Sequence, residues 1–260
     1  MRALPVLLLV AQAPLAAQGG SWCDDTGRWR DDREMHCEVR EYTLTGLASL
    51  AVDGGQNGGI TVEAWDRPDI LVQARITVHA RTEGRVREMA SNIEVSANSS
   101  SISARGPRHE RRESWSVAWR IYAPAETALD LEVLNGGIRI TGMSGRTRFN
   151  ATNGGVRLVD MAGDVSGATT NGGLAIELTG PTWRGSGMDV RATNGGVQLR
   201  IPDGYSAMFE TGTVNGRLNL DFPITVQGRF GGRSLSFTLG DGGPLIRART
   251  TNGGVRIARG

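Results

Sequence analysis

The sequence contains no lysine, so all 29 of its basic residues are arginine. A phosphate-binding loop of the Gly-x-x-x-x-Gly-Lys type is therefore excluded, because its lysine is missing. The arginines are dispersed and the formal net charge is only +2, which gives no electrostatic basis for binding nucleic acid. Hydrophobic residues make up 39% of the chain and charged residues 22%, values typical of a globular or repeat protein rather than a disordered one.

Signatures of catalysis and metal binding are also scarce. There is no Gly-x-Ser-x-Gly elbow, and the three histidines, His36, His79 and His109, show no metal-ligand spacing. A glycosidase needs two carboxyl groups that converge on one bond, and six aspartates are candidates for such a pair: Asp160, Asp164, Asp189, Asp203, Asp221 and Asp241. Aspartate is equally a common turn residue. We favour the turn interpretation and expect no enzyme, no catalytic residue, no metal and no cofactor.

The first 18 residues have the organisation of a secretory signal peptide. Arg2 gives a minimal basic start, residues 4–10 are apolar, and residues 13–18 are small enough for cleavage after Ala17 or Gln18. A membrane anchor or a buried strand is the alternative, but the apolar run is too short to span a bilayer. We therefore expect export to the periplasm, the cell surface or the medium, with no membrane span after cleavage.

Cysteine is rare, and both copies, Cys23 and Cys37, follow directly after the predicted cleavage site. In an exported protein an even number of cysteines indicates a disulfide, which here would close residues 19–41. Closing a loop of about fifteen residues contributes on the order of 3 kcal/mol. A metal site that includes His36 is the competing interpretation, but two cysteines and one histidine fall short of a closed zinc set.

Glycine is abundant, with 37 residues, and much of it belongs to a repeat. Asn-Gly-Gly begins at Asn57, Asn135, Asn153, Asn171, Asn194 and Asn252, and a degenerate copy begins at Asn215. From Asn135 onward the steps are 18, 18, 23, 21 and 37 residues, and residues 240–243 resemble one further diverged copy. An apolar, polar, apolar triplet follows each copy, which is the period of a half-buried strand.

Each repeat thus reads as strand, corner, strand. A chain of hairpins is one solution, but a second turn signal in each repeat favours stacked units. We therefore predict an all-β, right-handed β-solenoid or single-stranded β-helix-like fold. In it the asparagines at 135, 153, 171, 194, 215 and 252 form a structural ladder of turns at one corner.

Residues 42–134 are less regular but still rich in β pattern. Residues 42–52 lead into the Asn57 copy, and Thr82–Ile93 reads as the one short helix, with Thr82 as its cap. Alternation places Trp115 and Trp119 on one buried face. We predict four segments: a signal peptide at 1–18, the disulfide-closed segment at 19–41, the irregular part at 42–134 and the regular solenoid at 135–260.

The alternating strand that ends Tyr122-Ala123-Pro124, the strand at 129–133 and the serial Thr-Asn-Gly-Gly-Val units resemble the bacterial "putative adhesin" β-strand-repeat family. The resemblance covers roughly residues 42–260 of the chain. It implies a right-handed β-solenoid and a cell-envelope or secreted setting. The family is a domain family of unknown function, so the resemblance supplies no catalytic residue.

The sequence leaves three functions open. The first is a non-catalytic, adhesin-like binding or structural protein of the envelope that contacts a glycan or an envelope protein. The second is a carbohydrate-active enzyme on a β-solenoid, and the third is a self-assembling structural protein. The arginines of residues 105–112 read as a mobile charged loop or as a contact for anionic glycan or lipid headgroups.

Overall fold

The computed structural model describes residues 20–24, 33–98, 100–108, 110–221, 230–231 and 233–260. The predicted signal peptide, most of the interval between the two cysteines and His109 lie outside the described residues. The irregular part contains helix α1 (Gly20–Asp24), helix α2 (Glu83–Ser91) and strands β1 (Glu34–Thr45), β2 (Ser49–Asp53), β3 (Ile60–Trp65), β4 (Asp69–Ala80), β5 (Glu94–Ala97), β6 (Ser101–Arg105) and β7 (Ser114–Pro124).

The regular part contributes the remaining strands. They are β8 (Ala128–Asn135), β9 (Ile138–Thr141), β10 (Thr147–Asn153), β11 (Val156–Val159), β12 (Asp164–Asn171), β13 (Leu174–Glu177), β14 (Gly187–Asn194), β15 (Val197–Ile201), β16 (Ala207–Asn215), β17 (Leu218–Leu220), β18 (Phe230–Gly231), β19 (Ser234–Leu239), β20 (Leu245–Asn252) and β21 (Val255–Arg259). The protein is mostly β, with its strands in two large mixed sheets that are not closed.

The two sheets are joined through the Asn-Gly-Gly corners. The first sheet has the order β1-β4-β7-β3-β9-β11-β13-β15-β21-β17, and the second has the order β18-β19-β16-β20-β14-β12-β10-β8-β2-β6-β5. From Asn135 onward a strand of the second sheet ends at each corner asparagine, and a strand of the first sheet begins just after the two residues that follow it; at the Asn57 corner β2 already ends at Asp53. Strands of neighbouring repeats pair in parallel and in register, so that Asn153 lies opposite both Asn135 and Asn171.

Alternation decides which side chains form the core. In β11, Val156 and Leu158 are buried whereas Arg157 is exposed, and the other corner strands repeat this pattern. The inward side chains of both sheets belong to one apolar cluster. Each fully buried Val, Leu or Ile contributes roughly 1.5–3 kcal/mol relative to exposure, so the two-residue period stabilises every unit in the same way.

The order of the units in the stack differs from their order along the chain. The last repeat does not sit at the end of the stack, because β20 pairs with both β14 and β16. The long step of 37 residues contains β19, which pairs antiparallel with β16 and was not predicted. Residues 240–243 are therefore not a diverged corner, as the glycines suggested, but the turn from β19 to β20, where Asp241 N lies 3.3 Å from Ser206 Oγ.

The irregular part extends the same two sheets. Strands β2 and β3 pair in parallel with β8 and β9, although 62 residues separate the end of β3 from the start of β8. Strand β4 pairs antiparallel with β1 and β7. The interval 42–52 is divided between β1 and β2 near Gly46, whose φ of 71° interrupts the extended chain.

Helix α2 is present where the sequence places it. Thr82 Oγ1 accepts from Arg85 N, and Val86, Met89 and Ala90 are buried. The helix ends at Ser91, so Ile93 is a buried residue beyond it rather than part of it. The expectation of one helix was wrong, because α1 is a second one that is too short to show a helical period in the sequence.

Candidate binding site

The corner asparagines form a hydrogen-bonded row on the protein surface. Each side-chain Nδ2 donates to the Oδ1 of the asparagine in the neighbouring unit at 2.8–2.9 Å, in the order Asn215 to Asn252, Asn252 to Asn194, Asn194 to Asn171, Asn171 to Asn153 and Asn153 to Asn135. Asn57 ends the row by accepting from Asn135 at 3.3 Å. We call these seven residues the asparagine ladder.

The two glycines of a corner have different tasks. A Cβ at Gly154, the first glycine of its corner, would lie 1.9 Å from the carbonyl oxygen of Gly136 in the next unit. A Cβ at Gly155, the second glycine, would meet only Gly173 O at 3.5 Å, an ordinary contact. The first position must therefore be glycine so that the units can approach, and the degenerate copy keeps Gly216 while it carries Arg217 at the second position.

A surface groove follows the second glycines along the stack. It has a volume of about 570 Å³ and crosses the outer face of β3, β9, β11, β13 and β15. Its floor is backbone at the second glycines, and its side is formed by the first outward-facing residue of each strand: Thr61, Arg139, Arg157, Ala175 and Gln198. Because the strands are in register, the backbone positions recur at each strand spacing of about 4.8 Å.

The charges beside the groove are mixed. Arg157 donates to Glu177 at 3.1 Å, whereas Arg139 makes no ion pair with any described residue. Farther along the same face Arg256 pairs with Asp221 at 2.6 Å. These pairs are exposed and stabilise the fold by ~0–1 kcal/mol each, so the arginines can exchange an intramolecular carboxylate for one on a ligand.

The disulfide segment covers one end of this face. Cys23 and Cys37 form a disulfide that ties α1 to β1. The Trp22 ring lies under two guanidinium groups, 4.9 Å from that of Arg75 and 4.2 Å from that of Arg120. Arg120 stands opposite Thr61, which lines the groove. The anchored tryptophan therefore lies on the outer face close to where the groove begins.

The six candidate aspartates are engaged at separate places. Asp160 has a φ of 51° and accepts from Thr179, Asp164 begins β12, and Asp241 lies in the turn beside Ser206. The other three pair with arginines: Asp189 with Arg247, Asp203 with Arg259 and Asp221 with Arg256. Within the described ranges, no hydrogen bond or ion pair joins two of these aspartates to each other.

The two histidines that the structure describes, His36 and His79, do not share a site. His36 Nε2 lies 3.2 Å from Glu38, and His79 is on the outward side of β4. The part of the chain with assigned coordinates contains no group of three His, Cys, Asp or Glu able to hold a metal ion. In the same part of the chain, no helix combines the length and apolarity that a membrane span requires.

Sequence reasoning missed both the groove and the contact of Trp22. The groove follows from the strict register of the glycines and of the outward-facing residue four positions after each asparagine, a signal that is present in the sequence. The position of Trp22 over Arg75 and Arg120 has no such signal, since those residues are about 50 and 100 positions away.

No protein-family model matches the chain, and no curated protein matches it. Solved structures do resemble it. A "putative cell adhesion protein" from Clostridium sporogenes is 10% identical, with 86% of this chain and 100% of that chain covered and a TM-score of 0.45. A "putative adhesin" from Bacteroides fragilis is 12% identical, with coverages of 86% and 97% and a TM-score of 0.39.

A "putative lipid binding protein" from Parabacteroides distasonis is 9% identical over 85% of this chain and 96% of its own, with a TM-score of 0.31. Structures that resemble the chain are thus described as adhesins, in agreement with the resemblance drawn from the sequence. At these values the descriptions of binding belong to those proteins alone.

Proposed function

We propose that the protein is an exported, non-catalytic binding protein of the bacterial cell envelope, and that it works as an adhesin-like module. Its stacked units form a right-handed β-solenoid over residues 135–260, which the irregular part extends. The segment boundaries proposed from the sequence, at 18, 41 and 134, belong to the same picture. A disulfide between Cys23 and Cys37 fits an oxidising compartment outside the cytoplasm.

The observation that carries the proposal is the groove along the stack. A cleft for a small substrate closes around a few groups, whereas this groove repeats the same glycine backbone from strand to strand while its side chains vary. A repeated site suits a repeated ligand, because successive units of a polymer can make the same contact at successive strands. The ladder amides and the backbone floor offer donors and acceptors, and the arginines beside them recognise acidic groups.

The partner is an extended glycan or surface polymer of the envelope. Glycan hydroxyls pair with amides and backbone, and acidic groups on the polymer pair with Arg139, which is exposed and has no carboxylate of its own among the described residues. Affinity then rises with ligand length until the groove is filled. At ~4.8 Å per strand, the five strands that line the groove span roughly 20 Å.

The test is binding of the chain from residue 19 to an array of bacterial and host glycans. Replacement of Arg139 and Arg157 by alanine should weaken array binding, whereas replacement of Arg148, which is exposed on the opposite sheet, should leave it intact. Binding that ignores the groove variants would contradict the proposal.

The two alternatives have their own readouts. Turnover of a polysaccharide that is lost on substitution of an aspartate would establish a carbohydrate-active enzyme instead. Growth of the particle size with protein concentration, measured by light scattering, would favour self-assembly through sheet edges such as β1.

A further inference from the structure

The asparagine ladder has a direction, and one contact fixes it. Asn135 Nδ2 donates to the backbone carbonyl of Gln56 at 2.7 Å. A carbonyl oxygen only accepts, so the amide of Asn135 must present its nitrogen to that side. Every other amide in the row follows the same sense, because each Oδ1 receives the Nδ2 of the next unit.

The row ends at Asn57 with a donor. Asn57 Oδ1 accepts from Asn135, while Asn57 Nδ2 donates to none of the residues with described positions. Aligned hydrogen bonds polarise one another, so the partial positive charge of the row is presented at this end. The opposite end, at Asn215, offers an acceptor oxygen instead.

A cavity lies where the next ladder residue would stand. The neighbouring strands β6 and β7 pair with β2 and β3, but the chain between them carries no Asn-Gly-Gly corner. The cavity that remains has a volume of about 600 Å³. It is lined by backbone at residues 54 and 55 and by the side chains of Gln56, Asn57, Arg105, Arg108 and Trp115. We call it the end cavity.

The walls of the end cavity favour an anion beside a ring. Arg105 and Arg108 are exposed, and neither has an ion-pair partner among the residues the structure describes; Glu94 faces Arg105 across the β5–β6 pair without such a contact. The adjoining turn carries two acids: Glu110 is exposed, and Glu113 is held by Arg85 at 2.9 Å. Trp115 is half-buried and fixed, because its Nε1 donates to Pro107 O at 3.0 Å.

We propose that the end cavity binds a sugar ring that carries a carboxylate. Arg105, Arg108 and Asn57 Nδ2 supply donors to the carboxylate, an anion that guanidinium groups bind through charge-assisted hydrogen bonds. Backbone groups and the Gln56 amide face the ring hydroxyls, and the indole of Trp115 packs against the ring. Two arginines suit one carboxylate on one ring rather than a polyanion such as nucleic acid, which needs many such contacts.

This site goes beyond the proposed function and does not depend on the groove. The experiment is calorimetric titration of the purified chain with D-glucuronate, with acetate as the carboxylate alone and D-glucose as the ring alone. We expect glucuronate to bind more tightly than either. Asn57→Asp exchanges the donor for an acceptor, and Arg108→Gln removes a positive charge. Each should lower the affinity for glucuronate by about tenfold or more.

One control separates the site from its surroundings. Arg148→Gln alters an exposed arginine on β10, three strands away from β6 in the second sheet, and should leave glucuronate affinity unchanged. Arg108 is exposed in a turn, so its variant folds even if Asn57→Asp disturbs the ladder. The proposal is overturned if glucose matches glucuronate, if no binding is detected or if Arg108→Gln has no effect. Equal binding of acetate would leave a bare anion site and overturn the sugar assignment.

Discussion

Replacing the two glycines of one corner separately by alanine tests how the units are packed. Gly154→Ala places a methyl group 1.9 Å from the carbonyl oxygen of Gly136, more than 1 Å inside the closest distance that real Cβ atoms show. Gly155→Ala meets only an oxygen at 3.5 Å. The two variants make the same substitution at adjacent positions of one corner, so each is the matched control of the other.

The cost at the first glycine follows from what must move. If the units part by about 1 Å, the hydrogen bonds from Gly136 N to Asn153 O at 2.9 Å and from Asn153 Nδ2 to Asn135 Oδ1 at 2.8 Å are stretched or lost. Each is worth about 0.5–1.5 kcal/mol, and overpacking adds roughly 1–3 kcal/mol. We expect Gly154→Ala to lower the free energy of unfolding by about 2–6 kcal/mol.

Gly155→Ala should change the free energy of unfolding by less than about 1 kcal/mol, because loss of unfolded-state freedom offsets a mild contact. Urea unfolding followed by circular dichroism measures both variants. Equal destabilisation by the two alanines would refute the reasoning, and so would a neutral Gly154→Ala.

Three further outcomes follow from individual contacts. In Asn171→Asp an oxygen replaces the amide nitrogen that donates to Asn153 Oδ1, so that two oxygens face each other. This variant should lower the unfolding free energy by about 1–3 kcal/mol in the same assay. Cys23→Ser should cost up to about 3 kcal/mol and raise the rate at which protease removes the first residues. Hydrogen bonding from Arg247 holds the pKa of Glu210 below its ordinary 4.5, so its contribution is fully present above about pH 4.5 and lost as pH falls through the lowered folded-state pKa. Glu210→Gln should therefore lower the free energy of unfolding at pH 7 by under ~1 kcal/mol, since the carboxylate is 38% exposed, and should lower it less at pH 3.

The corners could be predicted from sequence because their cause is local. Close approach of two backbones demands glycine, and the alternation after it demands a strand with one buried face. These constraints recur in every repeat, so they leave a period. The start of α2 could be predicted for the same reason, because Thr82 caps the helix by accepting from Arg85 N, only three residues away.

The order of the units could not be predicted, because nothing local encodes it. Parallel strands with the same pattern are interchangeable neighbours, and β20 fits beside β14 as well as β16 does. The antiparallel β19 and the return of β8 to the side of β2 depend on contacts tens of residues away. The end cavity shares that origin, since it exists only because a unit without a corner was placed next to Asn57.

Strands β20 and β21 are the last in the chain, yet β20 lies between β14 and β16, and β21 lies between β15 and β17. This arrangement restricts the order of assembly. A stack that grew unit by unit from its beginning would place the unit of β16 directly on that of β14, and would then have to open to admit the last one. The gap must instead stay vacant until the final repeat has been synthesised. A chain built in this way reaches its finished shape only once all of it is available.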